Sequence, residues 1–202
     1  MTTNIVLAGV GGQGILSIAN VIGIASLENN LFLKQAEVHG MSQRGGDVQS
    51  NLRISDSPID SDLIPYGKAD IIVSLEPMEA LRYLPYLSKN GWVVTNTNPF
   101  VNISNYPDIK EVMQELEKID NLVAFDMDKT AKDLGSPRSS NMVLLGAASP
   151  FLGLPEDLLI DSIHKFFEKK GEKITELNVK SFEAGRRESL DFIKDKTVSR
   201  PE

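Results

Sequence analysis

Glycines with the spacing of a phosphate-binding loop lie close to the start of the chain, in the stretch AGVGGQGILS at residues 8–17. Gly9, Gly11 and Gly14 satisfy the pattern G-x-G-x-x-G, after a short apolar run and before a second apolar stretch. In such a loop the backbone turns sharply, and the amide groups at the start of a helix face an anion. The same glycines could instead serve only to pack a helix closely against a strand. The pattern leaves both interpretations open.

A dinucleotide-binding loop also needs an acidic residue about 20 residues further on, where it binds the ribose hydroxyls. This chain has Lys34 near that distance, and the nearest carboxylate, Glu37, opens a polar stretch. The spacing therefore disfavours a dinucleotide site. Ubiquitin-activating-type adenylating enzymes use a similar loop, but their common sulfur-transfer variants need cysteine, and this chain contains none.

A second cluster of polar residues and glycines follows in EVHGMSQRGGDVQSNLRIS, at residues 37–55. Its glycines indicate unusual backbone dihedrals or close approach to another group. The Arg44 guanidinium suits a carboxylate or a phosphate, although a solvated surface turn is the plainer alternative. No proton-transfer role is assigned to any residue. The residues predicted to face a ligand or a partner are Gly9, Gly11, Gly12, Gln13, Gly14, Glu37, His39, Gln43, Arg44, Gly45 and Gly46.

Further polar candidates have simpler interpretations. Glu76 ends an apolar run just before Pro77, so it could bind a ligand at a strand end or stabilise the start of a helix. Asn141 is predicted to cap the helix that follows it. The two histidines, His39 and His164, lack the spacing of metal ligands, and no metal site is predicted.

The elements that must position these residues follow from apolar periodicity. Apolar runs and one alternating segment predict strands at residues 5–10, 31–38, 48–54, 69–75, 92–95 and 122–125. Helical spacing predicts helices at 14–28, from 77, 108–119, 127–134, 155–170 and 175–194. The alternation predicts an α/β fold, three-layer α/β/α, with a mainly parallel Rossmann-like sheet and a first β-α-β unit. We expect a single domain over 1–202, with a helical C-terminal part at about 139–195.

The composition disfavours or excludes several classes of partner and chemistry. The net charge of −7 disfavours nucleic-acid partners, because binding to phosphate backbones needs clustered positive charge. The absence of cysteine excludes disulfides, a catalytic thiol and cysteine-ligated iron–sulfur clusters within this chain. No run approaches the roughly 20 apolar residues of a membrane span, and the N-terminal apolar run is too short for a signal peptide. We therefore expect no membrane partner and a cytoplasmic location.

The two glycine-containing motifs, in this order, resemble the gamma-type component of 2-oxoacid:ferredoxin oxidoreductases. Within that family the chain is most similar to the small subunits of the indolepyruvate type. The resemblance covers about residues 4–190 and continues through residues 69–97 and 139–155. It implies the oxidative decarboxylation of a 2-oxoacid, of the indolepyruvate or arylpyruvate kind, to an acyl-coenzyme A, with electrons passing to ferredoxin.

The resemblance also implies where the cofactors are bound. That chemistry uses thiamine diphosphate and iron–sulfur clusters, with coenzyme A as co-substrate. This chain has no cysteine and no Gly-Asp-Gly signature, so both cofactors are expected on a larger partner subunit, and none on this chain alone. The chain would interact with ferredoxin only indirectly, through the complex. Two alternatives stay open, namely a stand-alone NAD(P)- or flavin-binding Rossmann oxidoreductase and a non-catalytic assembly protein.

Overall fold

A six-stranded sheet forms the centre of the molecule. The structure, a computed structural model, describes residues 1–39, 45–101 and 103–198. The strands are β1 (Thr2–Val10), β2 (Phe32–His39), β3 (Asp47–Ser55), β4 (Ala69–Ser74), β5 (Leu87–Asn96) and β6 (Leu122–Phe125). Their order across the sheet is β2-β3-β1-β4-β5-β6. Only the pairings of β3 are antiparallel, so the other strands all point the same way and the predicted mainly parallel sheet is confirmed.

Helices follow the strands as the periodicity predicts. They are α1 (Ile15–Glu28), α2 (Pro77–Arg82), α3 (Ile109–Glu117), α4 (Met127–Asp133), α5 (Ser140–Ala148), α6 (Glu156–Phe167) and α7 (Glu172–Val198). Gly171, with φ of 92°, separates α7 from the short 3₁₀ turn that ends the preceding helical segment. Among the described residues, no helix is both long enough and apolar enough to cross a membrane.

The expected first β-α-β unit, β1-α1-β2, is present, but a third strand splits it. β2 runs parallel to β1, but β3 lies between them and pairs antiparallel with both. The alternation in β3 predicts a strand with one wetter face, whereas Asn51 and Ser55 on that face are buried. β3 lies inside the sheet, where Asn51 is flanked by Val6 of β1 and Ala36 of β2, and β2 is left at the edge.

The two faces of the sheet bury separate apolar layers. Successive strand residues point to opposite faces, so Ile5 and Leu7 pack with α1 and α5, whereas Val6 and Ala8 pack with α2 and α3. This arrangement of helices on both sides confirms the three-layer α/β/α fold. It also brings the carboxyl ends of β1, β4, β5 and β6 to one edge of the sheet, together with the starts of the helices that follow them.

Helix α5 is buried along its whole length, between the sheet and α7. Close approach of α5 and α7 depends on two glycines that face the opposite backbone. A Cβ at Gly146 would overlap the carbonyl oxygen of Phe182, and a Cβ at Gly185 would overlap that of Val143. These reciprocal contacts hold the first turn of α5 at the carboxyl edge, where the candidate site lies.

Candidate functional site

A cleft of about 770 Å³ opens at the carboxyl edge of the sheet. Gly12, Gln13 and Gly14 of the glycine loop form one wall, and the β5–α3 loop, the starts of α4 and α5, and α7 form the others. Ligands of open α/β sheets bind in this position, outside the carboxyl ends of the strands. The cleft is large enough for a small-molecule ligand.

The glycine loop is held at both ends by amide side chains. Gln13 accepts a hydrogen bond from the Val10 amide at 2.7 Å and donates from Nε2 to the Leu75 carbonyl at 3.3 Å. Asn141 donates from Nδ2 to the Gly14 carbonyl at 3.2 Å. The loop is therefore tied to the end of β4 on one side and to α5 on the other.

Two glycines of the loop are needed for close packing, whether or not the loop contacts a ligand. A Cβ at Gly9 would lie 2.9 Å from Gln13 Oε1, so a side chain there would displace the residue that anchors the loop. Gly14 has φ of 81°, and its Cβ would lie 2.7 Å from Asn141 Nδ2. Gly12 also has positive φ, but a Cβ there would meet open space. Of the two interpretations in the sequence, close packing thus accounts for Gly9 and Gly14.

The fold brings the two glycine motifs together. The Gly11 amide donates to the Gly46 carbonyl at 2.8 Å, and the Gly45 amide donates to the Gly11 carbonyl at 3.2 Å. These bonds extend the β1–β3 ladder by one step beyond the strands. The glycine loop and the start of β3 are therefore one backbone unit at the carboxyl edge.

A carboxylate also lines the cleft, in the first turn of α4. Asp128 Oδ2 accepts hydrogen bonds from the amides of Asn96 and Asn98, each at 2.9 Å. Its Oδ1 accepts from the Ser140 hydroxyl at 2.5 Å. Three donors from two segments fix the carboxylate, which lines the cleft together with Asn141.

The cleft also holds an acceptor without a partner. Asn141 is 7% exposed, and its buried Oδ1 atom has no hydrogen-bond partner among the residues that the structure describes. An unpaired buried carbonyl oxygen is costly, so such an atom is commonly satisfied by a ligand or water. The prediction that Asn141 caps α5 is wrong, because the residue lies inside the helix and reaches across to Gly14 instead.

Two cationic side chains line the same cleft. Arg138 precedes α5, and Lys170 lies with Nζ 5.0 Å from the centroid of the Phe167 ring. Both are exposed, so their charge is available to an anion at the mouth of the cleft. The cleft combines cations with fixed oxygen acceptors, a set that suits a ligand bearing both phosphate groups and N–H or O–H donors.

Two of the other predicted site residues belong to β2. Glu37 is exposed on β2 and pairs in register with Ser50, and His39 ends the same strand opposite Val48. Glu37 is not among the described residues that line the cleft. Gln43 and Arg44 lie outside the described residues.

Glu76 is the cap of α2. It is 1% exposed, and its Oε2 accepts from the Glu79 amide at 2.9 Å while Oε1 accepts from the Tyr106 hydroxyl. Burial, followed by the hydrogen bond to Glu76, raises the pKa of Tyr106 above its usual value. Burial likewise raises the pKa of Glu79, against the lowering effect of the Arg82 guanidinium. These groups anchor α2 and the β5–α3 loop beside the cleft.

Sequence reasoning missed much of the cleft wall. In the sequence, Asp128 and Lys170 lie within the predicted helices at 127–134 and 155–170, and nothing in their local pattern marks them as site residues. One local signal was present, since Asn96 and Asn98 follow an apolar strand at the edge where ligands bind. Among the described residues, no group of three or more His, Asp or Glu side chains could hold a metal ion.

The fold and the cleft define a Rossmann-like α/β protein with an open cleft at the carboxyl edge of its sheet. Residues 4–188 match the family model described as pyruvate ferredoxin/flavodoxin oxidoreductase. The chain belongs to this oxidoreductase family, which confirms the resemblance identified in the sequence.

Relatives match nearly the whole length of the chain. Indolepyruvate oxidoreductase subunit IorB of Pyrococcus horikoshii is 37% identical over 199 residues, covering 94% of this chain and 97% of that protein. Among solved structures, the gamma subunit of a keto/oxoacid ferredoxin oxidoreductase from Geobacter sulfurreducens has a TM-score of 0.66 at 24% identity, covering 94% of this chain and 99% of its own.

A longer relative contains the same fold. The 2-oxoglutarate:ferredoxin oxidoreductase from Magnetococcus marinus, solved with 2-oxoglutarate, coenzyme A and succinyl-CoA bound, has a TM-score of 0.74 at 23% identity. The match covers 94% of this chain but 31% of that one. The fold of this chain is thus one part of a larger polypeptide there.

Proposed function

We propose that the chain is the non-cluster-bearing small subunit of a 2-oxoacid:ferredoxin oxidoreductase that acts on indolepyruvate or another arylpyruvate. The observation that carries this proposal is the match at 37% identity to nearly the whole length of an IorB subunit. Because the chain has no cysteine, thiolate ligands for iron–sulfur clusters must come from another subunit. The larger subunit would hold thiamine diphosphate and the clusters, and would pass electrons to ferredoxin.

The chain would contribute one domain over residues 1–202. The helical part at about 139–195 supports this, because Met142, Leu159 and Phe182 pack into the same apolar layer as the strands of the sheet. A C-terminal part that folded separately would need an apolar layer of its own.

The cleft would bind the nucleotide end of coenzyme A. Coenzyme A carries phosphate groups that suit Arg138 and Lys170, and hydroxyl and amino donors that suit Asp128 and the unpaired Asn141 oxygen. The presence of coenzyme A in the Magnetococcus relative supports the assignment. In this proposal the glycine loop is a wall of the coenzyme A site and contributes no nicotinamide contacts.

The position of β2 argues against the stand-alone dinucleotide enzyme. In dinucleotide-binding sheets the ribose-binding acid ends the strand beside β1. Here β3 separates β1 from β2, so a carboxylate at the end of β2 starts about 10 Å away, at two strand spacings. Calorimetric titration of the chain with NAD+ or NADP+ should detect no binding tighter than about 100 μM, or −5.5 kcal/mol.

Reconstitution tests the main proposal. The purified chain alone, supplied with indolepyruvate, coenzyme A and thiamine diphosphate, should not reduce a viologen dye. Adding the larger subunit should restore turnover, faster with indolepyruvate than with pyruvate or 2-oxoglutarate. Turnover by the chain alone would contradict the proposal, and full turnover by the larger subunit without this chain would favour the assembly protein.

A pair of arginine variants tests the coenzyme A site. Arg138→Ala should raise the KM for coenzyme A in the reconstituted enzyme about tenfold or more, because a charge-assisted contact to phosphate is lost. The KM for indolepyruvate should stay the same. Arg187→Ala, on an exposed position of α7, is the matched control and should change neither value. An unchanged KM for coenzyme A in Arg138→Ala would place the nucleotide elsewhere.

The second glycine motif would face the partner or a bound anion, as the sequence predicts for Glu37, His39, Gln43 and Arg44. The backbone bonds between Gly11 and the Gly45–Gly46 pair support this, because they position the start of β3 at the carboxyl edge. Arg44→Ala should leave the melting temperature of the isolated chain nearly unchanged but weaken the complex. Arg44→Lys should restore only part of the affinity of the complex, since an ammonium group cannot form the paired hydrogen bonds of a guanidinium. A large drop in melting temperature with full activity would make Arg44 structural.

A further inference from the structure

Large apolar side chains are exposed around the mouth of the cleft. Phe100, Val101 and Ile103 lie on the β5–α3 loop, with 44%, 66% and 41% of their surface exposed. Ile174, on the first turns of α7, is 44% exposed. We call these four residues the apolar rim. Phe100 and Ile174 also line the cleft, so the rim is continuous with its opening.

The loop that carries the rim is anchored on both sides of its apolar residues. The Asn98 amide N–H donates to Asn96 Oδ1 at 3.3 Å, and its side chain donates to Asp128 at 2.9 Å. On the other side, Tyr106 donates to the buried Glu76 carboxylate. The anchors hold the loop against the domain, yet the apolar side chains between them point outward and stay out of the core.

Exposed apolar groups that cluster beside a ligand site indicate a surface that another molecule covers. Two comparisons indicate which molecule covers this surface. The relatives that match the whole chain bear the name of a subunit, so they work with other chains. In the Magnetococcus relative the match covers 31% of a longer chain, so the same fold is joined there to other parts of one polypeptide.

We propose that the apolar rim docks onto the larger, thiamine-diphosphate-bearing subunit, and that docking closes the mouth of the cleft at the subunit interface. This inference rests on the proposed function. A ligand held by its anionic end in the cleft would then extend through the rim into the partner. Burial of the rim would exclude water from that passage, and the driving force would be the removal of apolar surface from water.

A double variant tests the docking surface without touching the cleft wall. Val101→Ser/Ile103→Ser removes two rim side chains that are not among the described residues lining the cleft. The control is Leu27→Ser, which removes a side chain 63% exposed in the last turn of α1, about 20 Å along the helix from the glycine loop. The dissociation constant of each full-length chain for the purified larger subunit is measured by calorimetry, with circular dichroism as a check on folding.

The double variant should raise the dissociation constant at least tenfold, and the control should leave it within twofold of wild type. Val101→Lys alone, which places a charge in the rim, should act in the same direction. Tight binding by the rim variants, or equal weakening by Leu27→Ser, would overturn the inference while leaving the proposed function intact. If the wild-type chain does not bind the larger subunit, the proposed function itself fails. Sedimentation of the isolated chain identifies the competing occupant, because self-association lost in the double variant would mean a second copy covers the rim.

Discussion

Replacing Gly14 by alanine tests how the glycine loop is held against α5. The backbone at Gly14 has φ of 81°, where a side chain costs about 1–2 kcal/mol. The new Cβ would lie 2.7 Å from Asn141 Nδ2, so the buried amide must move and lose its hydrogen bond to the Gly14 carbonyl. Leaving a buried polar group unpaired costs about 1–3 kcal/mol more.

Gly12→Ala is the matched control. Gly12 also has positive φ, at 104°, but its Cβ would meet open space. The entropy that alanine removes from the unfolded chain is the same at both positions, so it cancels in the comparison. Gly14→Ala should therefore be less stable than Gly12→Ala by about 1–3 kcal/mol, the contribution of the Asn141 contact.

Urea denaturation of the isolated chain, followed by circular dichroism, measures the difference as a shift in midpoint at constant slope. A double-mutant cycle identifies its source. In an Asn141→Ala background the excess cost of Gly14→Ala should disappear, because the amide that the Cβ displaces is gone. If both glycine variants lose the same stability, or if the excess persists without Asn141, the contact between the loop and α5 does not hold the loop as described.

Three further outcomes follow from packing and charge. Gly146→Ala should destabilise the chain by about 3 kcal/mol or more in urea denaturation, because the methyl group overlaps the backbone of α7. Gly23→Ala is the control, because its Cβ would make only an ordinary van der Waals contact with Leu33. This variant should be neutral or more stable by up to about 1 kcal/mol. Folding raises the pKa of Tyr106, so above about pH 10 the folded state keeps a proton that the unfolded chain releases. The free energy of unfolding should therefore fall as the pH rises above about 10. The fall should be less steep in Tyr106→Phe, which has no phenol to titrate. Asp128→Asn should lower the free energy of unfolding by about 2 kcal/mol, because one carboxylate oxygen is replaced by an N–H donor that faces other donors. Asp126→Asn should be nearly neutral, because asparagine caps a helix equally well. Equal losses of stability in both variants would contradict the cleft geometry.

Local patterns predicted the elements well. Each apolar run that we assigned to a strand is a strand, because a buried strand needs apolar side chains regardless of what covers it. The helix before Gly171 ends where glycine can adopt a positive φ. The two glycine motifs identified the family, since their order and composition are distinctive. These signals all lie within a few residues of the feature they predict.

Local patterns could not predict which strands are neighbours in the sheet. The alternation in β3 was visible, but nothing local says that the strand inserts between β1 and β2. That placement depends on which apolar surfaces meet when the whole sheet forms. It buries Asn51, which the alternation had assigned to a wetter face, and it moves the end of β2 away from the glycine loop.

The sequence by itself determined the α/β class, the glycine loop, and the absence of thiolate ligands. Only the tertiary structure decided what surrounds that loop. Asn141 reaches Gly14 from 127 residues further along the chain, and Asp128 receives donors from two other segments. A helix cap satisfies a local backbone group and can be guessed from neighbours in sequence, whereas these amides and carboxylates are paired across the closed sheet edge. Hydrogen bonds of this kind exist only once burial removes water as the competing partner, so no spacing in the sequence encodes them.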